Sequence, residues 1–597
     1  MRKILTILLF TLLSMQLKAI TVYMPSFKAG GFYYRFIGNG EVELTANPDG
    51  CVFYRGNMVV PDSVEYNGTY YKVTSIGARV FNCATIESIV LPEGIRAIGE
   101  ECFVYADFFQ NIKLPDSLKI IKRCAFGFSK GLDSLFIPAS CETIESAGLY
   151  LMYGVRTIEV DSANRNYCSN DGVLYNKNMT ELIQYPIERT GTFTIPSGVE
   201  IIIEQAFAGA KLDTIVISPS VSTIKVCAFS QCENLKVVDI PSTVRRIEGG
   251  IFRGCHQLIN VVIDPQNPSY RAVDNVVYSI NMDTLFSHHL AEGMVQIVEG
   301  VKVIAEDAFT LSRVDEAILP EGVEEIQDAA FRQTILMTIH LPQTLRKIGA
   351  YAFQNCEALE RIDIPNSVVE MGDYTFYDCF NLLSARMSDS IKYLPEEVFS
   401  HCISLSSYTG GASVERIGDL AFIMCQSLPE KIVFPENLKY IGMGAFGYTP
   451  LTDVEFTGIV DTIGRLNFES LRLLVLKNNE PPFTYNEPVS SFIFRVNIPC
   501  GATKAYKAVP SWNSYTYVED CDGIEESEES NVRVVAKSRS IEVLNAEGYS
   551  VAIYDAVGRC LVNEPANGNS HRYYNVPTAG VYVVRVDDRG YKVVVSN

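Results

Sequence analysis

Apolar and polar residues alternate over short stretches that end at a proline, and the stretch recurs along the chain. In Leu359-Glu360-Arg361-Ile362-Asp363-Ile364-Pro365, Ile362 and Ile364 alternate with Arg361 and Asp363, which is the period of a strand with one buried face. Pro365 ends the strand because it brings no N–H to a ladder. Val368, Met371, Phe376, Cys379 and Leu382 then carry the chain through a return segment to the next strand. From Phe309 the steps to Phe331, Phe353, Phe376, Phe399, Phe422, Phe446 and Phe468 are 22, 22, 23, 23, 23, 24 and 22 residues, and Phe81, Phe103, Phe126, Phe207, Phe229 and Phe252 hold the same slot upstream. Such spacing predicts a solenoid, mainly β, with about 15 coils stacked into one parallel sheet along a rod over residues 73–476.

Two steps are longer. Leu149, standing in the Phe slot, lies 58 residues before Phe207, and Phe252 lies 57 before Phe309. The extra pieces match at an offset of 103: Asn164, Tyr167 and Gly172 through Tyr175 correspond to Asn267, Tyr270 and Asn275 through Tyr278. Asp171-Gly172 and Asp274-Asn275 are turn dipeptides between apolar runs, so each insert, near 160–190 and 263–290, is expected to be a β-hairpin projecting from the rod.

Alternation points Val90, Lys113, Phe136, Glu159, Val216, Asp239, Val262, Ile318, His340, Asp363, Arg386, Val433, Glu455 and Val475 out of the sheet. Half of these are apolar, and an exposed apolar stripe on a sheet suits recognition of a protein partner; β-branched residues chosen for strand propensity give the same pattern. The candidate partner-binding residues are therefore Val90, Phe136, Val216, Val262, Ile318, His340, Asp363, Arg386, Val433 and Val475.

Charge narrows the partners. With 597 residues, Lys+Arg 50 against Asp+Glu 70 leaves a net charge of −20, which disfavours nucleic acid and anionic membrane surfaces. Arg2 and Lys3 precede an apolar run from Ile4 to Leu13, so residues 1–19 read as a secretory signal peptide. No other stretch reaches the roughly 18 apolar residues of a membrane helix, and no integral membrane span is expected.

Candidate chemistry is sparse. His256, His288, His289, His340, His401 and His571 are scattered, and an extended His288-His289 pair would point to opposite faces, so no metal or other cofactor is expected. No nucleophile elbow, zincin helix, phosphate loop or dinucleotide fingerprint is present, and no catalytic residues are assigned. Cys232, Cys255, Cys356, Cys379, Cys402 and Cys425 each stand three residues after the Phe slot. Disulfides between coils and buried thiols acting as small hydrophobes both fit that ladder.

The repeat, with its strand ending in Pro, its Ala-Phe pair and its Cys three residues on, resembles the BspA-like leucine-rich repeats of bacterial surface proteins. The resemblance implies an adhesin that binds host proteins. Residues 20–72, with a Tyr66-Asn67-Gly68-Thr69-Tyr70 turn, read as an N-terminal β cap, and 477–519, with Tyr506, Trp512 and Tyr515, as the closing cap of the array. Residues 520–531 form an acidic linker. A small β-sandwich over 532–597 follows, and its Gly558-Arg559, Pro577, Gly580, Tyr582 and terminal Lys592 resemble the C-terminal sorting domain of type IX secretion substrates; a plain immunoglobulin-like spacer is the alternative. The type IX machinery is then a partner, and the Gram-negative outer-membrane surface the destination. The expected function is adhesion to an extracellular or surface protein of a host or neighbouring cell, with a glycan-binding accessory role as the alternative.

Overall fold

Every coil contributes two strand positions to the stack, one more than alternation reveals. The computed structural model describes residues 27–47, 54–485, 487–520, 532–537, 539–566, 568–587 and 589–595. The expected signal peptide and nearly all of the acidic linker lie outside these residues. The chain divides into two units, Met1–Val496 with Ala505–Thr516, and Asn497–Lys504 with Tyr517–Asn597. Asn497–Lys504, expected in the closing cap, thus groups with the C-terminal unit.

In the first unit, the strands that end near the prolines form a wide parallel ladder in runs, for example Gly191–Thr194, Leu212–Val216, Val237–Ile240 and Asn260–Ile263. A second, narrow ladder consists of two-residue strands such as Ile201–Ile202, Thr223–Ile224 and Arg246–Ile247, also parallel. In most of these pairs the second residue is buried while the first is more open, setting one side chain into the core; Ile144 and Met371 are half-buried. Coils approach closely just past this ladder: a methyl on Gly99 would stand 2.3 Å from the Gly77 backbone, and one on Gly442 2.5 Å from Asp419 N. Only glycine fits there.

The return segment explains the Ala-Phe pair. The Phe N–H of one coil donates to the residue before the Phe of the next, as Phe331 does to the Ala352 carbonyl at 2.8 Å and Phe422 to the Ala445 carbonyl at 2.7 Å. A small residue there lets the backbones meet. The rings from Phe309 to Phe468 stack with centroids 4.7 to 6.0 Å apart, each contact adding about 0.5–1.5 kcal/mol beyond burial. Residues two before and two after the Phe turn left-handed, as Ala329 and Gln333 do around Phe331 with φ of 55° each.

The inserts differ from expectation. Tyr167–Asn170, Val173–Asn176 and Glu181–Gln184 make an antiparallel meander turning at Asp171-Gly172, and its third strand starts a new narrow ladder with Ile201–Ile202. Tyr270–Val273, Val276–Ser279 and Thr284–Ser287 repeat the arrangement. Val173, Leu174 and Tyr175 are all fully buried, Leu174 in the core of the preceding coils and its two neighbours in the core of the following ones. The inserts are therefore walls built into the stack, because three consecutive apolar residues leave no face for water.

At the N-terminal end, Phe27–Ala29, Phe32–Gly38 and Glu41–Thr45 are antiparallel, and Glu41–Thr45 pairs in parallel with Thr69–Ile76, which opens the narrow ladder. Asn67 and Gly68 make the turn of the adjoining hairpin with φ of 51° and 79°. At the other end Trp512 is fully buried and its Nε1 donates to the Pro482 carbonyl at 3.0 Å. In the second unit, Arg533–Lys537, Ser540–Leu544 and His571–Asn575 form one antiparallel sheet, and Cys560–Glu564, Val551–Asp555, Gly580–Val586 and Arg589–Val595 the other, around a shared apolar core. No helix among the described residues is long and apolar enough to cross a membrane.

Candidate functional site

Most of the outward residues of the wide ladder fall into register from coil to coil, whereas Lys113, expected among them, lies outside any strand. Val59 pairs with Val90, Phe136 with Glu159, Val216 with Asp239 and Asp239 with Val262, Ile318 with His340, Asp363 with Arg386, Val433 with Glu455 and Glu455 with Val475. Val90, Phe136, Val216, Val262 and Val433 are exposed, as are His340, Asp363 and Arg386, whereas Ile318 and Val475 are half-buried. The expected apolar stripe is not continuous. Asp239 separates Val216 from Val262 and Glu455 separates Val433 from Val475, so apolar and acidic side chains take turns along the row.

The ladder is broken between Thr338–His340 and Arg361–Asp363. There the Phe spacing changes from 22 to 23 residues, and a second break, between Ser407–Gly410 and Lys431–Phe434, falls where it changes from 23 to 24. At the first break the coils leave a cavity of about 320 Å³ lined by His340, Gln343, Asp363, Asn366 and Arg386 over Ile339 and Pro365. Arg386 Nη1 donates to Asp363 Oδ1 at 2.7 Å, and His340 Nε2 stands 3.2 Å from Glu316 Oε1. The hydrogen bond to the Asp363 carboxylate holds the Arg386 guanidinium above its usual pKa. The break thus brings three of the sequence-assigned residues to one polar opening and adds Gln343 and Asn366, which alternation did not single out; the change in spacing was the available signal.

His288 and His289 are structural. His289 packs against Phe252 at 5.5 Å with Nε2 2.9 Å from the Leu258 carbonyl, and His288 lies on Phe309 at 5.3 Å, so the pair fills aromatic slots at the second insert. Burial pushes both down to about 4. Among the described residues no cluster of three or more His, Cys, Asp or Glu is arranged to hold a metal ion.

Thirteen cysteines among the described residues are free thiols, and Cys500 is disulfide-bonded. The ladder thiols are more than small hydrophobes. Each donates to a Phe carbonyl of the preceding coil, Cys356 to Phe331 at 3.1 Å, Cys379 to Phe353 at 3.1 Å and Cys402 to Phe376 at 3.2 Å.

In the C-terminal unit, Gly558 and Arg559 close the turn after Val551–Asp555. Asp555 Oδ1 accepts the Arg559 N–H at 2.9 Å, Arg559 Nε donates to Asp555 Oδ2 at 2.8 Å, and Gly558 has a φ of 82°. Tyr582 is buried, pairs with Asp555 on one side and Val593 on the other, and donates its hydroxyl to the Thr578 carbonyl at 2.6 Å. Pro577 and Gly580 lead into that strand, and Lys592 is exposed on the last one opposite Val583. The motif residues therefore converge on one four-stranded sheet.

No curated protein matches the chain. Among solved structures, it is similar to a leucine-rich cell surface protein from Faecalibacterium prausnitzii, 24% identical over 64% of this chain and 94% of that one, with a TM-score of 0.34. The pneumococcal vaccine antigen PcpA is 18% identical over 72% and 97%, with a TM-score of 0.37. A leucine-rich repeat protein from Bacteroides ovatus is 21% identical over 83% and 100%, with a TM-score of 0.27. The BspA type leucine rich repeat region matches residues 74–189, 185–284, 302–429 and 427–475, the stretches occupied by the stacked coils, and the chain belongs to that family.

Proposed function

We propose that the chain is an exported surface protein that binds another protein along the outward row of its wide ladder. The observation that carries this reading is the in-register alternation of apolar residues, exposed at Val216, Val262 and Val433 and half-buried at Val475, with exposed Asp239 and with Glu455, which is half-buried beside Lys431. Neighbouring strands stand about 4.8 Å apart, so like residues recur every second coil at about 9.6 Å. A partner whose basic and apolar side chains alternate at that interval meets both features at once. The net charge of −20 speeds encounter with such a basic surface. Ile318, His340, Asp363 and Arg386 extend the row around the polar opening, and Val475 continues it beside Glu455. The apolar run after Arg2-Lys3 supports export, and the convergence of Asp555, Gly558, Arg559 and Tyr582 in one sheet supports a sorting role for the C-terminal unit at a Gram-negative outer membrane.

The test is binding of the purified full chain to a panel of extracellular-matrix and cell-surface proteins at low and high salt. At least one partner is expected to bind with an affinity that falls with salt, and Asp239→Lys combined with Glu455→Lys should weaken it at least tenfold. No binding above background, or binding indifferent to both charge reversals, would falsify the reading.

A further inference from the structure

The two inserts are one scaffold used twice, but their surroundings differ in a way the scaffold does not require. In both, a buried Asn donates to two carbonyls of the preceding coil, Asn164 to Pro138 at 2.8 Å and Cys141 at 3.0 Å, Asn267 to Pro241 at 3.1 Å and Val244 at 3.0 Å. In the second insert the third strand carries Phe286, which packs edge-on against Tyr270 at 5.2 Å. The matching residue of the first insert is Ile183, and a cavity of about 560 Å³ opens there beside Tyr167.

That volume lies within the range of small-ligand sites, roughly 300–1,000 Å³. Its lining also departs from the duplicate. Arg165, Lys177, Glu181 and Lys225 stand where the second insert and its following coils have Pro268, Ile280, Thr284 and Gln327. Glu142 is held by Lys119 and Glu204 by Ser146. The side chains of Arg165, Glu181 and Lys225 make no hydrogen bond or ion pair among the described residues. Three cations and three carboxylates line the cavity, with Asn166, Asn176 and Asn178 among them and Ile144, Ile183 and Ile203 beside the Tyr167 ring.

We infer that this cavity is a carbohydrate-binding site. A lining that offers both charged donors, Arg165 and Lys225, and a charged acceptor, Glu181, beside three asparagine amides suits neutral vicinal hydroxyls, each of which donates and accepts. The carboxylate of Glu181 accepts from hydroxyl groups, Arg165 and Lys225 donate to them, and the apolar side chains cover the C–H faces of a sugar ring. The site is separate from the outward row of the wide ladder, so it stands or falls apart from the protein-binding reading.

The full chain is to be screened on a glycan array, with any retained glycan followed by calorimetry. At least one glycan is expected to bind. Ile183→Phe copies the residue that the second insert already accommodates, fills the cavity, and should reduce affinity at least tenfold while leaving the unfolding transition in place. Glu181→Gln, on a surface side chain, should reduce it severalfold without any change in fold. Absence of any retained glycan, or retention that survives both substitutions, overturns the assignment, the second outcome placing the sugar elsewhere on the chain.

Discussion

The hydroxyl of Tyr270 accepts the backbone N–H of Ile247 at 2.7 Å, and Tyr167 does the same for Ile144 at 2.8 Å. Ile144 and Ile247 lie in the last strands of their narrow ladders, where the next coil would have supplied a carbonyl. The wide ladder ends similarly, with Ile158 N–H donating to the Gly172 carbonyl and Val261 N–H to Asn275 Oδ1. Each insert therefore caps the coils before it and opens the ladder after it, which lets one chain hold several stacks in series.

Removing that hydroxyl strands a buried N–H. Tyr270→Phe is expected to cost about 1–3 kcal/mol, since an unsatisfied buried donor loses its desolvation energy in full. Urea denaturation measures the loss, and amide exchange at Ile247 should accelerate more than at Ile224, one coil further in. Unchanged exchange at Ile247 would mean that water takes the place of the hydroxyl.

The thiol ladder makes a different claim about side-chain choice. Cys379 is fully buried, its Sγ donates to the Phe353 carbonyl, and burial raises its pKa well above the thiol value. The same slot holds Ser312 and Thr334 in other coils. Cys379→Ser keeps a donor, whereas Cys379→Val removes it and adds bulk, at a cost of about 1 kcal/mol or more. Stability should fall in the order Cys, Ser, Val; Val more stable than Ser would return the thiol to a purely apolar role. In the native protein iodoacetamide should modify exposed Cys560 well before any ladder cysteine.

The wide ladder was legible because Ile362 and Ile364 alternate with charged residues over enough length to show a period of two. The narrow ladder was not, since strands such as Arg416–Ile417 have two residues and no alternation to read. Val173, Leu174 and Tyr175 suggested a hairpin, yet the sequence could not say whether water or a second stack would meet their far side. The outward row followed from strand period alone. Its division by Asp239 and Glu455 is present in the same residues and shows only when their order along the row is read. The polar opening at His340, Asp363 and Arg386 depends on a break in pairing, which only the 22-to-23 change in spacing announced.

Asp378 and His401 are buried together in adjacent return segments, with His401 Nδ1 3.5 Å from Asp378 Oδ1, and burial moves them in opposite directions. Burial raises Asp378 from 3.8 to about 7, with the Glu357 and Glu397 charges adding to it, and lowers His401 from 6.5 to about 4. Between pH 4 and 7 the native chain holds a proton on Asp378 that the unfolded chain has lost, so this group makes stability fall as pH rises. Between pH 6.5 and 4 the native His401 stays neutral while the unfolded one charges, so it makes stability fall as pH drops. The two slopes oppose each other from about pH 4 to 6.5 and leave the Asp378 loss uncompensated above that. Asp378→Asn should accordingly raise stability by roughly 2 to 4 kcal/mol at pH 8, while at pH 4 it should change little. The substituted chain should gain stability from pH 4 to 6.5 and then level off, the slope belonging to His401 alone. Denaturant midpoints across this range check both limbs, and equal gains at pH 4 and pH 8 would show that Asp378 is not the group that ionises.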